Sequence, residues 1–100
     1  MNNKINLAPI ALFTYNRPWH AQQTVEALQK NNLAIESDLF IFSDGAKNTE
    51  DQSRVDEVRK YLKTITGFKS VTVEESQQNK GLANSIIYGV TKIVNKFGKI

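Results

Sequence analysis

The chain has no cysteine. That absence removes disulfides, thiolate metal sites and thiol nucleophiles, and it fits a reducing compartment. It has one histidine, His20, which reads as a surface residue rather than a catalyst. No apolar run approaches the roughly 18 residues needed to span a bilayer. The start, Met1-Asn2-Asn3-Lys4, lacks the charged-then-apolar design of a signal peptide. The expectation is a cytoplasmic protein without a transmembrane segment. Thirteen Lys and Arg against ten Asp and Glu leave a net charge of +3. The basic residues are scattered, with Arg59-Lys60 the only adjacent pair, so a nucleic-acid partner is not expected. Three ligand motifs are missing too. There is no G-x-G-x-x-G after the first strand and no G-x-x-x-x-G-K-[ST], which argues against dinucleotide and P-loop binding. No serine sits in a G-x-S-x-G elbow.

What is present is an alternation of apolar runs and helical stripes. One hundred residues suffice for one small domain or a piece of a larger one. Pro9 to Thr14 is continuously apolar until its last residue, as strands of buried parallel sheets are. A helix is predicted from Pro18 to Lys30, with proline at the first helical position and Ala21, Val25 and Leu28 on one face. Leu39 to Ser43 repeats the apolar grammar. A second helix is predicted from Thr49, with Thr49 and Gln52 as a capping box. Its stripe is Val55, Val58, Leu62 and Ile65, and Gly67 stops it. Ser70 to Glu74 is a short strand with Val71 and Val73 on one side. Leu82 to Phe97 is a third helix, with Ile86, Val90, Ile93, Val94 and Phe97 expected to be buried and Gly98 as its stop. The pattern βαβαβα predicts an α/β, three-layer, Rossmann-like arrangement on a parallel sheet. Lys99-Ile100 reads as the first step into a fourth strand. The first strand is expected to be central, and a missing neighbour would bare its edge. The chain is therefore expected to be the N-terminal part of a longer protein.

Parallel strands bring all their C-terminal turns to one edge, the place where open α/β sheets bind ligands. Three loops should converge there: Thr14 to Arg17, Ser43 to Lys47 and Glu75 to Asn84. Asp44 offers a carboxylate to a base N–H or a ribose hydroxyl, or else closes an Asx turn. Tyr15 offers a ring to stack on a base, with the Thr14 hydroxyl beside it, or packs under the first helix. Arg17 has the planar fork suited to a diphosphate, or is simply solvated. Asn16 is expected to cap the first helix. Lys80 and Gly81 open the third helix, whose N-terminus favours an anion. Asn84, in its first turn, is placed to bind or to cap. Trp19 is expected to pack, and Glu74-Glu75 to be a solvated acidic pair.

Ile10 to Pro18 (an apolar strand, then Thr-Tyr-Asn-Arg-Pro), Phe40 to Gly45 (Phe-Ile-Phe-Ser-Asp-Gly) and Asn79 to Asn84 (Asn-Lys-Gly-Leu-Ala-Asn) resemble, in order and spacing, the N-terminal half of family 2-type glycosyltransferases of the GT-A fold. The resemblance covers nearly the whole chain. It implies a GT-A half truncated before the fourth strand that binds a nucleotide-diphosphate sugar. Thr14, Tyr15 and Arg17 would line the nucleotide pocket, Asp44 would contact the base, and Lys80, Gly81 and Asn84 would lie near the diphosphate or ribose. Ser43 stands where many relatives carry another acid. The whole protein would transfer the sugar to a saccharide or lipid-linked acceptor, at the inner face of the membrane in the latter case. It would use a divalent metal, Mg or Mn, on an Asp-x-Asp motif lying beyond Ile100. The 100-residue piece would be inactive alone. The alternative is a non-catalytic nucleotide- or sugar-binding module that uses the same edge.

Overall fold

The computed structural model of the chain describes residues 7–98. The expectations placed on Met1 to Lys4 and on Lys99-Ile100 lie outside those residues. The elements run β1 (Ile10–Thr14), α1 (Pro18–Gln29), a 3-10 turn (Ala34–Glu36), β2 (Asp38–Ser43), α2 (Thr49–Leu62), β3 (Ser70–Glu75) and α3 (Leu82–Phe97). The three strands form one parallel sheet in the order β1-β2-β3. The molecule is a Rossmann-like βαβαβα domain, as the alternation predicted. Among the described residues β2, not β1, is the central strand, and β1 lies at an edge.

The register explains the layers. Ile10 pairs with Leu39 and Leu39 with Val71; Leu12 pairs with Ile41 and Ile41 with Val73. Side chains alternate across a strand, so these six share one face. They meet Ala21 and Val25 of α1 and Val58 and Leu62 of α2 in a single core. Leu39, Ile41, Val25 and Val58 have no exposed surface. Each such residue stabilises the fold by roughly 1.5–3 kcal/mol relative to exposure, which makes this layer the main source of stability. Ile65, expected as the last residue of the α2 stripe, is buried although α2 ends three residues earlier at Leu62. The apolar contact continues beyond the helix, so Gly67 is not what stops it. The capping box is replaced as well. Asn48 is the N-cap, its side chain accepting from the Asp51 N–H, while Gln52 donates to Asp56.

The opposite face carries Phe13, Phe40 and Phe42 and is covered by α3 alone. Phe13 and Phe42 stack at 5.4 Å, and Gly89 lies directly on them. A Cβ at Gly89 would come within 2.8 Å of Phe13 and 2.9 Å of Phe42. The absence of a side chain thus sets how closely α3 approaches the sheet. The buried residues of α3 are Ser85, Gly89 and Ile93; of the five expected, Ile93 is buried and Val90 half-buried. Ile86, Val94 and Phe97 remain 38, 40 and 37% exposed. The most apolar arc of α3 is rotated away from the sheet. Trp19, expected to pack, is 71% exposed.

Candidate functional site

Because the strands are parallel and paired without stagger, Thr14 lies beside Ser43 and Ser43 beside Glu75. The three following turns therefore share one rim. Side chains then lock them together.

Asp44 is the centre of the lock. It is 7% exposed. Its Oδ1 accepts from the backbone N–H of Gly45 at 2.9 Å and of Lys80 at 2.8 Å. Its Oδ2 accepts from the Gly81 N–H at 3.0 Å and from Asn79 Nδ2 at 3.3 Å. A carboxylate has about four lone-pair sites, and all are taken by protein donors. The sequence offered a base contact or an Asx turn. What the fold builds is a tie from the end of β2 to the start of α3. Gly45 belongs to the same arrangement, since a Cβ there would sit 2.7 Å from the Gln78 carbonyl carbon. The backbone of the β3–α3 loop crosses directly over it.

Tyr15 is anchored too. Its hydroxyl donates to Asp51 Oδ2 and accepts from the Lys47 N–H at 3.1 Å. Asn16 donates to Asp51 Oδ1 at 3.2 Å, so it reaches across to α2. The expected cap of α1 is absent: Arg17 is the N-cap residue and no side chain bonds there. The hydrogen bond to Asp51 raises the Tyr15 hydroxyl above its usual value. The hydrogen bonds from Tyr15 and then Asn16 hold Asp51 below the ordinary carboxylate range.

Between these ties lies a cleft of about 260 Å³ lined by Phe13, Thr14, Tyr15, Asp44, Lys47, Asn79, Gly81, Leu82 and Ser85. It gathers four of the seven expected residues: Thr14, Tyr15, Asp44 and Gly81. The Thr14 hydroxyl is buried with no hydrogen-bond partner, although buried polar atoms are normally paired. The α3 N-terminus opens on the cleft. Gly81 holds the N-cap with φ +80°, no side chain caps the helix, and no acid lies in its first turn. The N–H groups of Leu82, Ala83 and Asn84 have no intrahelical acceptor.

The other three expected residues sit elsewhere. Lys80 points over the rim, its Nζ 3.5 Å from the centroid of the Tyr88 ring. Asn84 turns back and donates to the Lys80 carbonyl at 3.0 Å. Arg17 is exposed and lines an adjoining groove along the outer side of β1 that shares Thr14, Tyr15 and Leu82 with the cleft.

Several residues of the rim were not singled out from sequence. Arg59 is the main one. Its Nε donates to Ser43 Oγ at 3.0 Å, and one terminal nitrogen reaches the carbonyls of Ser43, Asp44 and Ser76. Glu75 lies 3.9 Å away. One guanidinium thus sutures the ends of β2 and β3. The available signal was its place, four residues after Val55 and on the margin of a buried stripe. The Glu74-Glu75 pair is not a solvated unit, because neighbouring strand residues face opposite sides. Glu74 Oε1 accepts from Tyr88 at 2.8 Å and pairs with Lys92. Burial pushes the Glu74 carboxyl up, but the Lys92 and Tyr88 hydrogen bonds and the charges of Lys92 and Lys80 outweigh it, and its pKa is lowered. The same contact raises Lys92.

Among the described residues no group of three or more His, Asp and Glu side chains is placed to hold a metal ion. The divalent metal was expected on a motif beyond Ile100, which lies outside the described residues. No helix among them is long and apolar enough to cross a membrane. Comparison with protein families, with curated proteins and with solved structures finds no match for this chain.

Proposed function

We propose that the chain is the nucleotide-binding N-terminal portion of a glycosyltransferase of family 2 type with the GT-A fold. The observation that carries this reading is the cleft at the C-terminal rim. There Thr14, Tyr15 and the uncapped α3 N-terminus line one volume. A nucleoside diphosphate matches that inventory. Its base and ribose suit the Thr14–Tyr15 wall, and its diphosphate suits first-turn N–H groups and the helix dipole. Asp44 serves by holding the α3 N-terminus in place rather than by touching ligand. Lys47 and Lys80 add positive charge at the rim.

The topology supports the same reading. α1 and α2 share one face of the sheet and carry the chain from β1 outward to β3. α3 lies on the other face, against Phe13 of β1. A right-handed crossover from α3 on that face would lead back toward β1 and would reverse the strand order there. Ligands of open α/β sheets bind at such a reversal. In the transfer reaction, the bond between the anomeric carbon and the diphosphate breaks and the acceptor hydroxyl takes the sugar. The leaving diphosphate gains negative charge, which the preorganised N–H groups of α3 stabilise. The acceptor is a saccharide or a lipid-linked sugar. No step is assigned to a metal, for which the described residues offer no donor set.

The test is an NMR titration of the labelled chain with uridine, guanosine and thymidine diphosphates. Amide shifts at Thr14, Tyr15, Gly81 and Leu82 are expected with at least one of them. No shift with any diphosphate overturns the proposal. Turnover of a nucleotide sugar by the 100-residue chain would contradict its assignment as the binding portion alone.

A further inference from the structure

The turn between β1 and α1 brings Tyr15 to the cleft, yet its own backbone does little to hold it. Thr14 is the last residue tied to β2, its carbonyl accepting from the Asp44 N–H. Among the described residues the backbone groups of Tyr15 and Asn16 make no hydrogen bond, and no side chain caps α1. What fixes the turn is a pair of side chains that reach one carboxylate. The Tyr15 hydroxyl and Asn16 Nδ2 donate to the two oxygens of Asp51. The Tyr15 oxygen in turn accepts from the Lys47 N–H at 3.1 Å. The β1–α1 turn, the loop after β2 and the first turn of α2 thus meet at Asp51.

Asp51 is suited to that task. It stands on a firmly seated element: its N–H donates to the Asn48 side chain at 3.0 Å, and Val55 and Val58 further along α2 have no exposed surface. Negative charge is favoured in the first turn of a helix, and hydrogen bonds to an ionised acceptor are the stronger kind. Its bonds from Tyr15 and Asn16 keep the carboxyl ionised at neutral pH. Tyr15 and Lys47 both line the cleft, whereas Asp51 does not. Tyr15 also lines the adjoining groove, so its placement decides how the two spaces are divided. A hydroxyl has one proton to give, and that of Tyr15 is committed to Asp51. A ligand therefore meets Tyr15 as a ring and not as a donor.

We propose that Asp51 is a positioning residue for the cleft. It touches no ligand. Through the Tyr15 hydroxyl it fixes the wall that receives base and ribose, and through the same oxygen it fixes the Lys47 loop. The role rests on the nucleotide reading above and divides the site in two. The nucleoside end depends on Asp51. The diphosphate end, at the first-turn N–H groups of α3 held by Asp44, does not.

NMR titration of the 100-residue chain with uridine, guanosine and thymidine diphosphates, and separately with inorganic pyrophosphate, tests this. Tyr15→Phe removes only the hydroxyl, and Asp51→Ala removes its acceptor. Each should weaken the nucleoside diphosphate that the parent binds by about tenfold and leave pyrophosphate unchanged. The double variant should lose no more than Asp51→Ala alone, because both changes delete one shared interaction. Asp51→Asn keeps an oxygen for the tyrosine and should recover most of the loss. A general loosening of the fold would weaken both ligands together, so the split between them isolates positioning. Equal weakening of pyrophosphate, additive losses in the double variant, undiminished affinity in both single variants, or a parent that takes the nucleotide but no pyrophosphate overturns the role of Asp51 and leaves the nucleotide reading standing. A parent that binds no nucleoside diphosphate overturns both.

Discussion

The Asp44 side chain decides the shape of the rim more than any other single residue. Four donors converge on two oxygens, and three of them are backbone N–H groups that would otherwise be orphaned at the start of α3 or beside β2. Asp44→Asn keeps the volume but replaces one acceptor oxygen by a donor that faces N–H groups. Leaving buried partners unsatisfied costs about 1–3 kcal/mol. We expect urea unfolding to show a loss of that size, with hydrogen exchange at the Lys80 and Gly81 amides accelerated beyond the increase that the global loss produces at Val55 and Val58. Unchanged exchange at Lys80 and Gly81 would show that the carboxylate is not what holds them. That Asp44 mattered was legible from its place after an apolar strand and before a glycine. Its partners were not, because they lie 36 and 37 residues further on and backbone donors leave no mark in a sequence. The same holds for Tyr15. A tyrosine at a strand end reads equally well as a stacking ring or as a hydroxyl donor, and only the arrival of Asp51 from α2 makes it the second.

At the scale of elements, period and punctuation gave most of the fold. Continuous apolar runs named β1 and β2, the 3.6 spacing named α1 and α2, and Pro18 marked the start of α1. The failures have a common cause. Composition identifies an amphipathic helix, but the face it buries depends on what covers it. α3 has two apolar arcs, and the narrower one, with Gly89, is the one that fits against Phe13 and Phe42. The α2 stripe had no such ambiguity, and Val55, Val58 and Leu62 are all buried. Arg59, on the edge of that stripe, joins α2 to the ends of β2 and β3. Arg59→Met keeps the stem against the core but abandons four acceptors. The expected loss is about 1.5–3 kcal/mol, and Arg59→Lys should recover only part of it, since an ammonium cannot reproduce the planar fork. Equal stability of Arg59→Lys and the parent in chemical denaturation would remove the guanidinium geometry from this account.

For the molecule as a whole, the shifted groups define a pH window. Asp51 and Glu74 are held below their usual range in the folded state. As pH falls past ~4, the unfolded chain takes up their protons first. Their contribution is complete above that point and is lost as pH drops through the folded values. Tyr15 and Lys92 are raised, so theirs is complete below ~10 and disappears as pH rises through the folded values. Melting temperature against pH should show a plateau bounded on both sides. Asp51→Asn should flatten the acid limb, and an acid limb unchanged in an Asp51→Asn, Glu74→Gln double variant would assign it to other carboxylates. The strand order adds a consequence for synthesis. Sequence order and spatial order coincide in β1-β2-β3, so each strand docks on the one translated just before it and the sheet grows in one direction as it leaves the ribosome. Among the described residues, the strand made first takes its single partner from the strand that follows it, and β2 alone is flanked on both sides.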